Sequence, residues 1–93
     1  MIKLQNLQTM KVRKIFHYEG IELRIVEREE KYMNNPDPIT VTCVLAPNGG
    51  EIPVQIYRRQ TLKSIVEETI KTLDNFKKMG ADVKSELTKE LKQ

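Results

Sequence analysis

Residues 61–79, TLKSIVEETIKTLDNFKKM, decide the fold. Leu62, Ile65, Val66, Thr69, Ile70, Leu73 and Phe76 recur at helical spacing and line one apolar stripe. Such a helix draws most of its stability from burying that stripe, so the rest of the chain must supply a bed for it. Thr61 is the expected N-cap, because a start at the Ser64–Glu67 capping box would leave Leu62 outside the helix. Lys77 and Lys78 suit the C-terminal dipole, and Gly80 suits a left-handed cap.

Upstream, the periodicity changes from helical to alternating. Residues 11–18 read as a strand, Glu19-Gly20 as a tight turn, and residues 21–28 as a second strand. Residues 27–38, EREEKYMNNPDP, read as a polar, solvent-facing loop with turn signals at Asn34-Asn35-Pro36 and Asp37-Pro38. Residues 39–46 alternate again, Asn48-Gly49 closes a second hairpin, and residues 51–59 read as a fourth strand. Pro53 marks an edge position or an outward-facing amide in that strand. Beyond Gly80, Asp82 caps a short extra helix in which Val83, Leu87 and Leu91 share a face.

The expected fold is α+β, a two-layer sandwich: a four-stranded antiparallel meander with one long C-terminal helix on one face and a short extra helix. Its bed is expected to be Leu23, Ile25, Val41, Cys43, Val54 and the strand-one aromatics. The open face would carry Glu22, Arg24, Thr40, Thr42, Val44, Gln55 and Tyr57, with an apolar strip from Val26, Val44 and Tyr57. Residues 11–93 form one small domain, and residues 1–10 a tail or an extra strand.

Chemistry is sparsely supplied. Cys43 is the single cysteine, which excludes an internal disulfide or a multi-cysteine zinc cluster. His17 is the single histidine and has no identifiable catalytic or metal-binding companions. The Pro47-Asn48-Gly49-Gly50 turn lacks the lysine and hydroxyl residue of a phosphate loop and lies between strands. The expectation is a non-enzymatic protein without metal or cofactor. No run has the length of a membrane span, and the N-terminal residues lack a signal-peptide core, so a cytoplasmic setting is expected.

The segments KIFHYEGIELRIVE at 14–27 and ITVTCVLAPNGGEIPVQIY at 39–57, followed by a charged amphipathic helix, resemble small uncharacterised proteins encoded by phages and mobile elements of low-GC Gram-positive bacteria. The resemblance spans residues 12–78. It implies an accessory or inhibitor protein acting on a host component, such as replication or a defence system.

Two functions from different classes follow. A protein-binding module, partnered by a host protein or by itself as a homodimer, would use Tyr32, Met33, Tyr57, Val83, Leu87 and Leu91, or pair through an edge strand. A nucleic-acid-binding accessory protein would instead bring Lys11, Arg13 and Lys14 together with Arg58, Arg59 and Lys63. The formal charge of +3 favours neither, and the chain lacks a repeated aromatic platform for stacking bases.

Overall fold

The structure, a computed structural model, describes residues 10–89. Residues 1–9 of the expected tail or extra strand lie outside the described residues, as does Leu91. Strands β1 (Lys11–Tyr18), β2 (Ile21–Tyr32) and β3 (Asn35–Leu45) precede helices α1 (Leu62–Lys78) and α2 (Val83–Thr88). The strands form a three-stranded antiparallel sheet in the order β1-β2-β3. The fold is therefore α+β with a long C-terminal helix and a short one.

Local chemistry sets several of the boundaries. Glu19 and Gly20 both take positive φ, 49° and 83°, as a two-residue hairpin turn of the type whose twist matches its strands. Thr61 caps α1, its hydroxyl accepting from the Ser64 amide at 3.1 Å. At the other end Gly80 sits at φ 95°. There the Gly80 amide donates to the Lys77 carbonyl and the Ala81 amide to the Phe76 carbonyl, each at 3.0 Å, closing a Schellman cap. Asp82 caps α2 through the Ser85 amide.

Phe16, Tyr18, Ile21, Leu23, Ile25, Val44, Ala46, Ile52, Ile65, Leu73 and Val83 form the core. Thr69 is fully buried within the helix stripe, and its hydroxyl donates to the Ile65 carbonyl at 2.8 Å, which satisfies it.

Three expectations need correction. The fourth strand at residues 51–59 does not form; contact with β3 is the single bridge Leu45–Glu51. Pro53 explains the break. The Val54 amide, which a continuing ladder would aim at Thr42, turns back to the Ile52 carbonyl at 2.7 Å. That is an inverse γ-turn around a residue whose ring fixes the required φ. Ile52 stays buried all the same, with Val54 and Ile56 packed half-buried against the core.

The polar segment 27–38 is not a loop. β2 and β3 run on to a turn at Met33-Asn34, with an irregular register between Glu30 and Tyr32. Pro36 and Pro38 are tolerated because β3 has no described strand beyond it there, so a missing amide donor on that side breaks no ladder.

The faces of β3 are the reverse of those expected. Val44 pairs with Ile25 and is fully buried in the core with Ile65 and Leu73 of α1, whereas Cys43 pairs with Val26 and Val41 with Arg28 on the opposite face. Strand alternation then carries Thr40 and Thr42 to the helix side, beyond the core. The face opposite the helix is consequently more apolar than expected, with Val26 and Cys43 buried and Val12 and Ile15 half-exposed beside them.

Candidate functional site

Beyond Glu27, which pairs with Lys11 at the start of β1, β2 pairs among the described residues with β3 alone. The two strands continue as an arm, and none of its described side chains from 27 to 42 is buried. The radius of gyration, 14.6 Å, exceeds the roughly 12 Å of a compact chain of this length, as a projecting arm requires. Met33 stands at the tip, 95% exposed. Tyr32, the last residue of β2, pairs with Asn35 across the turn. Glu27, Glu29, Glu30 and Asp37 make the arm acidic against Arg28 and Lys31, in a chain whose formal charge is +3.

The arm is braced where it leaves the body. The Arg28 guanidinium reaches Glu30 at 2.9 Å and Glu51 at 2.8 Å, and donates to the Cys43 sulfur at 3.4 Å. The hydrogen bonds to Glu51 and then Glu30 raise its pKa, outweighing partial burial, so it stays charged. Burial pushes the Cys43 thiol up, and the nearby Arg28 charge only partly offsets this. Cys43 is thus a packed, weakly acidic thiol rather than a nucleophile. On the other strand, Arg13 pairs with Glu27 at 2.7 Å.

A second surface lies at the opposite end. Ala46, Ile52, Leu73, Phe76, Val83 and Leu87 line an apolar cleft of about 290 Å³ between the 46–53 loop and both helices. Asn48 ties its rim by donating to the Glu86 carbonyl at 2.9 Å. Val83, one of the expected contacts, is buried in the core, and Leu87 is half-buried against that core. Tyr57, 64% exposed, is on neither surface. It borders an open polar groove with Arg59, Gln60, Ser64 and Glu68, and its amide donates to Gln60.

Lys11, Arg13, Lys14, Arg58, Arg59 and Lys63 are all exposed. Tyr18–Asp74 and Glu19–Lys77 contacts pin the C-terminal part of α1 beside the β1–β2 turn. Arg58, Arg59 and Lys63 flank the start of α1, whereas Lys11, Arg13 and Lys14 lie at the start of β1, beside the base of the acidic arm. His17 lies exposed on β1 opposite Glu22. Among the described residues, no group of three His, Cys, Asp or Glu side chains is placed to hold a metal ion. No helix among them is long and apolar enough to cross a membrane.

Sequence reasoning missed the arm and the Arg28 brace. The uninterrupted run of β-formers across 39–45 and the single salt-bridge-forming arginine between acids at 27–30 were the signals available. No protein-family model, curated protein or solved structure matches the chain.

Proposed function

We propose that this chain is a non-enzymatic protein-binding module that modulates its partner through the β2–β3 arm. The observation that carries this reading is Met33, 95% exposed at the tip of an arm that has no fully buried side chain among its described residues. An isolated two-stranded ribbon is marginal in water, and an exposed flexible thioether at its end is suited to filling an apolar socket. Glu29, exposed on the same arm, favours a socket with a basic rim. The resemblance to phage-encoded proteins directs the search to bacterial host proteins, with inhibition as the outcome.

A photo-crosslinking residue placed at Met33 tests this, with the same residue at Lys71 on the exposed back of α1 as the control. A discrete adduct from position 33 and not from 71, competed by unlabelled protein, supports the reading; equal labelling from both sites refutes it.

A nucleic-acid reading would draw on the exposed Lys11, Arg13, Lys14, Arg58, Arg59 and Lys63. It requires binding that weakens steeply with salt. Loss of Arg58 and Arg59 leaving that binding unchanged would end it. The arm's carboxylates, which begin beside Lys11, argue for the protein partner.

A further inference from the structure

The sheet face turned away from the helices is sealed at its centre and open at its β1 flank. Val12, Val26 and Cys43 stand in one row across β1, β2 and β3. Val26 is 1% exposed and Cys43 is buried, whereas Val12 is 48% exposed and Ile15, further along β1, is half-exposed. Neither Val26 nor Cys43 belongs to the core, in which Ile65, Leu73 and Val83 bring both helices to Leu23, Ile25 and Val44 on the other face.

The side chains of this face do not close it by themselves. Arg28 shields the Cys43 end of the row, its guanidinium held by Cys43, Glu30 and Glu51. Arg24, two residues before Val26, is drawn away along its own strand to Glu22 at 3.0 Å, and Val12 is left half in water. A valine in mid-row beside so open a neighbour is sealed only when something is laid over it.

That cover belongs to the chain itself, since Val26 is sealed within a single copy. Outside residues 10–89 this sequence has residues 1–9 and 90–93. The second group follows α2, whose Val83 lies in the core of the helix face, and brings one apolar residue, Leu91. The first joins β1 through Met10, two residues from Val12, and brings Ile2, Leu4 and Leu7 among Lys3, Gln5 and Asn6.

We propose that residues 1–9 lie across this face, with their apolar side chains over the Val26–Cys43 row. The reach suffices. Nine residues span about 30 Å extended or about 13 Å as a helix, whereas a row across three strands is about 10 Å wide. The sheet is then the middle layer of three, between the helices and this segment. Met33 is seven residues beyond Val26, about 20 Å along β2, so the cover is independent of what the arm binds.

Cysteine scanning of the full chain tests the cover, with Cys43 as the built-in partner. At low micromolar concentration with copper phenanthroline as oxidant, at least one of Ile2→Cys, Leu4→Cys and Leu7→Cys should form a disulfide with Cys43 within the monomer. Its rate should exceed that of Gln5→Cys and Asn6→Cys by at least about tenfold. Equal rates from apolar and polar positions would reveal an unanchored tail, and fastest closure from Leu91→Cys would assign the cover to the other segment. Disulfide-linked dimers as the main product would assign it to a second copy; each of these results overturns the proposal. Independently, the double variant Leu4→Lys, Leu7→Lys should let Ellman's reagent label Cys43 at least about tenfold faster, with an unchanged circular dichroism spectrum. Unchanged labelling would equally overturn it.

Discussion

The Tyr18 hydroxyl donates to the Asp74 carboxylate at 2.7 Å, joining the last residue of β1 to the penultimate turn of α1. Burial first, and that bond second, push the phenol up to about 12. An unfolded tyrosine ionises near 10. The neutral phenol is thus favoured by folding; its contribution is complete below pH 10 and is lost as pH rises towards 12. Tyr18→Phe should cost roughly 1 kcal/mol at neutral pH. The gap between the two proteins in urea denaturation should shrink from pH 10 to 12; a constant gap would contradict this coupling.

The two faces of β3 make a second prediction. Val44 is fully buried, and Val44→Thr places a hydroxyl in the core at a cost of about 1–3 kcal/mol. Val41 is half-buried on the far face, and Val41→Thr should stay within about 0.5 kcal/mol of wild type in the monomer. Denaturation midpoints at low protein concentration compare them directly, and the opposite ranking would mean that the strand is turned over.

These faces also mark the boundary of what the sequence made legible. The helix, its Thr61 cap, its Gly80 terminus and the Glu19-Gly20 turn all follow from chemistry within a few residues. The orientation of β3 does not. Ile39, Val41, Cys43 and Leu45 are the more consistent apolar set, yet Val44 and Ala46 are the residues that join the helix side chains in the core, and which face of a strand meets the core is a non-local fact. The prolines of residues 36–38 signal a loop when taken alone; only the absence of a described neighbour on that edge makes them compatible with a strand. Met33 was nameable as a candidate contact, but the arm that displays it rests on strand pairing that its polar composition concealed. The Arg28–Glu51 contact joins residues with no periodic relationship and left no local trace.

Cys43 should react slowly. Its side chain is buried and its thiol is pushed away from ionisation, with Arg28 only partly opposing. Ellman's reagent at neutral pH should label the native protein at least about a hundredfold more slowly than the urea-unfolded chain, because reaction requires local opening. Rapid labelling of the folded monomer would show that the face around Val26 is open to reagents.

Pro53 ends the sheet, and replacing it should extend it. With Pro53→Val the φ of residue 53 is released, and the Val54 amide is freed from the Ile52 carbonyl, to which it now donates at 2.7 Å. The alternation that aims Val44 at Ile52 aims Thr42 at Val54, so the fourth strand gains its next hydrogen-bonded pair. Amide hydrogen exchange at Thr42 should therefore slow at least about tenfold on this substitution. Unchanged exchange at Thr42 would mean that the strand does not extend and that something other than Pro53 ends the sheet.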